Sequence, residues 1–239
     1  MTAAIAADLE LLADLHDREP SREWLEAARA CPVQAQLGLV LESAKGRAAI
    51  VAFDAAVAGL PENPSQEDLD LLAAEYANIY LRFLYRAAPN ESVWLDEEGL
   101  QQQAPSFEVK AWYKRHKLVS EDWAKRPDDH LVIELRFLAY LFAQATDREG
   151  LAEAARFLDQ HPLRWAGLFC ARVAGETPVP YYAATATLTH AYLEELRDQL
   201  EAAADLRREM PEPAPRSTGP ALSCADEVRP YVPGAAPSW

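Results

Sequence analysis

The sequence predicts an all-α protein: a single globular bundle of roughly nine to ten helices followed by a Pro-rich C-terminal tail. Three observations carry that prediction. Only 9 of 239 residues are Gly, against a background rich in Ala, Leu and Glu, the strong helix formers. Good N-cap residues recur from end to end, each followed by apolar residues at helical spacing. No stretch alternates with period two between turn signals.

Taken in order, Thr2 caps a first helix through about Asp17. Ser21 caps a second, with Glu23 and Glu26 near its positive end, and Pro32 stops it. A stretch from Val33 to Leu41 follows, either continues or breaks near Gly46, and resumes through Val57. Gly59, Pro61, Asn63 and Pro64 form a loop. Ser65 caps the clearest helix, with Glu67 and Asp68 in its first turn. Leu69, Leu72, Ala73, Tyr76, Ile79, Tyr80, Phe83 and Leu84 then trace one stripe, ended by Ala87-Ala88-Pro89-Asn90. Glu91 to Leu95 is a short apolar segment, and Asp96 is the expected cap of a helix carrying Trp112 and Tyr113. Lys114-Arg115-His116-Lys117, the one dense basic cluster, falls where helix C-termini favour positive charge. Asp128 is the expected cap of a helix from Asp129 to Thr146, apolar on most sides and therefore central. Asp147 caps the next, to about Gln160, and Pro162 restarts the chain through Val173. After a break at Gly175, Pro178 and Pro180, a last helix runs from about Tyr181 to Arg208. Residues 1–210 are thus one helical domain. Residues 211–239, with seven of the 17 prolines, form an extended tail, docked through Tyr231 or Trp239 if at all.

Composition bounds the function. Lys and Arg number 23 against 38 Asp and Glu, a formal charge of −15. That disfavours nucleic acid and anionic membrane surfaces and favours a cationic partner such as a basic peptide. Cys31, Cys170 and Cys224 form no CxxC pair, and an odd count without a framework suits a reducing compartment. The N-terminus lacks the basic region of a signal peptide, and no apolar run reaches the ~18–20 residues of a membrane span. The expected location is the cytoplasm. Phosphate-cradling Gly motifs, the nucleophile elbow and H-E-x-x-H are all missing, and no two of the five His lie three or four apart.

Three constellations remain. Asp128, Asp129, His130 and Glu134 contain oxygen and imidazole donors, and His130 and Glu134 share a helix face. They could serve a metal-dependent helical hydrolase, or simply cap and anchor a loop from Leu118 to Pro127. Tyr76, Tyr80, Tyr85 and Trp94 form an aromatic group that is either core or the edge of a groove accepting an apolar peptide. Glu91, Asp96, Glu97 and Glu98 beside them either face a cationic ligand or solvate a helix start.

Three stretches together resemble the TorD/DmsD/NarJ family of redox-enzyme maturation chaperones. Glu75-Tyr76-Ala77-Asn78-Ile79-Tyr80 is similar to the family's aromatic-x-x-leucine-phenylalanine helix motif, with Ile79 and Tyr80 in the last two places. Pro89-Asn90-Glu91-Ser92-Val93-Trp94-Leu95-Asp96 is similar to the segment after that helix, with Trp94 where Tyr is usual. Pro127-Asp128-Asp129-His130-Leu131 is similar to the Pro-x-Asp-His motif, with Arg126 where an acid usually precedes it. The likeness runs roughly from residue 5 to 208. It implies a helical cytoplasmic chaperone and not an enzyme, with no cofactor of its own. Its partners would be the signal peptide and catalytic subunit of a molybdopterin oxidoreductase, held until cofactor insertion and twin-arginine export. A NarJ-like chaperone of a non-exported enzyme is the alternative within the family. The resemblance implies a peptide site lined by Tyr76, Tyr80 and Trp94 with Asp129 and His130 beside it, and the acids Glu91 and Asp96 join it as the groups that face a cationic ligand. The chain is expected to be a monomer or a domain-swapped dimer hinged near residues 118–127.

Overall fold

The computed structural model describes residues 1–120 and 126–209. The expected Pro-rich tail, with Cys224, and part of the expected hinge loop lie outside the described residues. Among the described residues there are eleven α-helices and one π-helical turn, and no strand beyond an isolated bridge. The helices are α1 (Thr2–Asp17), α2 (Arg22–Ala30), α3 (Val33–Gln36), α4 (Ala44–Ala58), α5 (Gln66–Tyr76), α6 (Glu91–Leu95), α7 (Ala104–Arg115), α8 (Leu131–Gln144), α9 (Arg148–Gln160), α10 (Pro162–Glu176) and α11 (Pro180–Ala204). The π turn, Ala77–Leu81, continues α5.

The core sits around α8, packed along α1, and α11, packed against α4 and α10. Leu131, Val132, Leu135, Leu138 and Phe142 of α8 are wholly buried, as its all-round apolarity predicts. Of the six caps the sequence indicates, those at Ser21, Ser65 and Asp147 form. Ser21 accepts the Trp24 N–H, Ser65 and Asp68 form a reciprocal capping box, and Asp147 accepts the Gly150 N–H at 2.9 Å. Replacing Asp147 with Ala therefore removes the α9 cap and should cost about 1 kcal/mol, a fall of about 2–4 °C in thermal midpoint, measurable by circular dichroism.

Five expectations need correction. Thr2 does not cap α1: it is the first residue of that helix, whose N-cap Met1 makes no side-chain cap hydrogen bond. The chain does not break at Gly46: the break spans residues 37–43, and Gly46 lies in the first turn of α4, where a Cβ would stand 2.7 Å from that of Leu41. Close approach, not helix termination, explains that glycine. Two distant acids hold the break. Asp8 accepts the N–H groups of Gly38 and Leu39, and Glu195 accepts those of Glu42 and Ser43. The Tyr76–Tyr80 helix stops at Leu81, leaving Leu84 exposed. Asp96 does not cap α7: it accepts the N–H groups of Glu98 and Leu100 in the preceding loop. Asp128 does not cap α8: His130 does, its Nδ1 accepting the Val132 N–H at 3.2 Å.

At the C-terminal end of the described chain, the Arg197 guanidinium lies buried against Asp159, with nitrogen–oxygen distances of 2.7 and 2.9 Å. Arg197 also donates to the Leu206 carbonyl and Asp159 accepts the Glu209 N–H, so this pair fastens the segment after α11 to α9.

Candidate functional site

The second and third motif segments are joined to each other. Residues 89–92 run antiparallel to 129–131: the Glu91 N–H donates to the Asp129 carbonyl at 3.0 Å and the Leu131 N–H to the Pro89 carbonyl at 2.9 Å. The Asp129 carboxylate accepts both the N–H and the hydroxyl of Ser92, at 2.8 and 2.5 Å, so it caps α6 from across the junction. Tyr113 of α7 donates to the Asp128 carbonyl, and Lys110 pairs with the Asp128 carboxylate at 3.4 Å. Arg126, in the position where the family usually has an acid, pairs with Asp17 at the end of α1, which Arg136 also holds at 2.9 Å. These two guanidinium groups keep the Asp17 carboxyl below its usual range despite partial burial.

Beneath the junction lies a buried acid pair. Glu91 takes the Nδ1–H of His161 at 2.9 Å and faces Arg164 at 3.6 Å. Glu134 takes the indole N–H of Trp165 at 3.0 Å. One oxygen of each glutamate lacks a donor among the described residues. Desolvation, reinforced by the negative charge of Glu91, pushes the Glu134 carboxyl well above the ordinary value. A protonated Glu134 then donates to Glu91 and satisfies both oxygens at once.

The first motif is interior too. Tyr80 is buried in the π turn, its ring 4.7 Å from that of Tyr76. Its hydroxyl donates to His16 Nδ1 at 2.6 Å, and His16 Nε2–H donates to the Thr189 hydroxyl at 2.8 Å. Thr189 donates its own hydrogen to the Thr185 carbonyl, which fixes the His16 tautomer. Tyr76 donates to the Asp17 carbonyl. Burial drives the imidazoles of His16 and His130 down to about 3, so both stand neutral in the fold.

Of the seven residues the sequence singles out for peptide binding, Tyr76, Tyr80, Glu91, Asp129 and His130 are buried, while Trp94 and Asp96 are half-exposed. An open groove over Tyr76 and Tyr80 is not seen among the described residues. Tyr85 is drawn aside, its hydroxyl donating to Glu75 at 2.9 Å. The Trp94 indole donates to the Ala88 carbonyl, and the Arg172 guanidinium stands 6.0 Å over its ring. The metal reading also fails on geometry. Asp128 turns to Lys110, Asp129 to Ser92, His130 to its own helix and Glu134 to Trp165. No three His, Cys, Asp or Glu side chains among the described residues are arranged to hold a metal ion. Sequence reasoning missed His161 and Trp165. His161 stands at the corner between α9 and Pro162, and its burial there is decided by the long-range contact with Glu91.

No helix among the described residues is long and apolar enough to cross a membrane. The family described as the nitrate reductase delta subunit matches residues 42–171, more than half of the chain and the stretch that contains all three motifs. A protein named chaperone protein TorD from Vibrio vulnificus (strain YJ016) is 27% identical over 180 residues, covering 72% of this chain and 82% of its own length. One of the same name from Shewanella sp. (strain MR-4) is 28% identical over 207 residues, covering 81% and 92%. Another from Vibrio cholerae serotype O1 (strain ATCC 39541) is 30% identical over 132 residues, covering 52% and 60%. These relatives are named as chaperones, not enzymes, in keeping with the missing catalytic motifs. Matched motifs, helical architecture and relatives agree: the chain belongs to the TorD/DmsD/NarJ family of redox-enzyme maturation chaperones.

Proposed function

We propose that this chaperone binds the leader peptide of a molybdopterin-dependent oxidoreductase in the cytoplasm. It holds the apoenzyme for cofactor insertion before twin-arginine export. The observation that carries the reading is the surface built over the joined motifs. There Trp94 stays half-exposed on α6, Leu168 of α10 is exposed one turn from Arg172, and Asp96, Glu97 and Glu98 follow in sequence. A leader of this kind has a cationic start and an apolar middle. The acids complement the first and the apolar side chains the second, with the net charge of −15 speeding encounter. Tyr76, Tyr80, Glu91, Asp129 and His130 act beneath, as the frame that holds α6 in place. A few hundred Å² of buried apolar surface supplies about 5–10 kcal/mol, part of which orders the peptide. Micromolar binding, near −8 kcal/mol, is within that range.

Calorimetry with synthetic leaders tests this. The wild-type chain should bind a paired-arginine leader with an affinity that falls as salt rises. Trp94→Ala should weaken binding about tenfold while costing about 1–2 kcal/mol of folding free energy, the lost Ala88 hydrogen bond and part of the ring's packing. No heat with leaders from several molybdoenzymes, or equal affinity in Trp94→Ala, would sink the assignment. A leader stripped of its arginine pair that binds equally well would instead favour a client that is never exported.

A further inference from the structure

The dense basic cluster at the end of α7 plays no part in the reading above, yet it borders a cleft. Between α7 and the corner joining α9 to α10 lies a hollow of about 470 Å³, lined by Trp112, Arg115, His161, Arg164 and Glu108 among others. That size suits a small molecule. The Arg115 guanidinium lies flat on the Trp112 ring, 3.7 Å from its centroid, and has no carboxylate partner among the described residues. Stacking fixes the charge without consuming its N–H donors. Arg164 lies 3.6 Å from Glu91 and 3.9 Å from Glu108, both beyond hydrogen-bond length. Its one hydrogen bond, to the Gln160 carbonyl at 3.3 Å, leaves donors free. His161 is almost completely buried, with Nδ1 committed to Glu91, while its Nε2 has no hydrogen-bond partner among the described residues. The His161 ring stands perpendicular to that of Trp112 at 6.3 Å.

We propose that this cleft is a binding site for a small oxyanion, a phosphate or a carboxylate, held by Arg115 and Arg164 with the Trp112 and His161 rings as its walls. A charge-dense oxyanion that offers two oxygens at once matches guanidinium forks better than any cationic or apolar guest would. The protein as a whole is strongly acidic, but the two cations that line this cleft, Arg115 and Arg164, concentrate positive charge at its mouth. Two carboxylates limit the affinity: Glu108, more than half exposed on the rim, and the buried Glu91 behind it, 3.6 Å from Arg164.

The test is nuclear magnetic resonance on the full-length ¹⁵N-labelled chain, titrated at fixed pH and ionic strength with inorganic phosphate and, separately, acetate. The His161 imidazole and Trp112 indole signals should shift and saturate with at least one of the two anions, and the preferred anion identifies the source. Arg115→Ala should weaken binding about tenfold, and Glu108→Gln should strengthen it a few-fold. Unchanged thermal midpoints show that both variants fold. Shifts that stay linear into the tens of millimolar with both anions would overturn the site, as would an unaltered affinity in Arg115→Ala.

Discussion

Tyr80→Ala should cost about 3–5 kcal/mol of folding free energy, a large share of the ~5–15 kcal/mol that holds a domain of this kind together. The ring is buried between Tyr76 and Phe169, so truncation opens a cavity in the core. It also breaks a chain of donors that links the π turn to α1 and α11 through His16 and Thr189. Tyr80→Phe keeps the ring and loses only the hydroxyl, leaving His16 Nδ1 buried without a donor, for about 1–3 kcal/mol. Denaturant unfolding separates Tyr80→Ala from Trp94→Ala, which sits at the surface. If Tyr80→Ala instead unfolds within 1 kcal/mol of the wild type and loses leader binding, the ring borders an open groove in solution and the division between buried frame and exposed surface is wrong.

That division is where the sequence stops being legible. Helical class, the caps at Ser21, Ser65 and Asp147 and the apolar stripe of α5 follow from local spacing, because a cap or a stripe of this kind is decided within a few residues. Ser65, Asp147 and the α8 run show it. What spacing does not carry is which polar side chains turn inward at corners. Nothing in the local sequence marks Asp8 or Glu195, yet each satisfies backbone N–H groups of the break between α3 and α4, Glu195 from about 150 positions away. Gly46 reads as a helix breaker because its close neighbour, Leu41, is placed by that same distant contact. His130, not Asp128, caps α8 because residues 127–130 are set by pairing with Asn90 and Glu91, a partnership that no local rule predicts. The motif residues were found by their order along the chain. Their role as a frame needed the bridge between segments to be seen.

The same buried frame makes the protein's stability depend on pH in two opposed ways. His16 and His130 are neutral in the fold, titrating near 3 instead of 6.5 because burial penalises the imidazolium. For His130, the facing Arg126 and Arg136 add to that penalty and Asp17 opposes it. The unfolded chain therefore takes up protons below about pH 6.5 that the native chain refuses. Stability is intact above that pH and drains away as pH falls toward 3, by on the order of 4 kcal/mol for each imidazole. Glu134 acts with the opposite sign. Its carboxyl holds a proton in the fold well above the pH at which the unfolded chain releases it, so its contribution declines as pH rises from about 4.5. Glu134→Gln can keep both hydrogen bonds, the amide oxygen accepting from Trp165 and the amide N–H donating to Glu91, without the ionisation penalty. Thermal midpoints measured across the pH range should then fall on both sides of an optimum in the wild type. The alkaline decline should flatten in Glu134→Gln and the acid decline should shrink in His130→Asn, whose shorter side chain still caps α8. An acid limb unchanged in His130→Asn would mean that the imidazole is already charged in the fold. In that case its Nδ1 cannot be accepting the Val132 N–H, and the cap assigned to His130 is wrong.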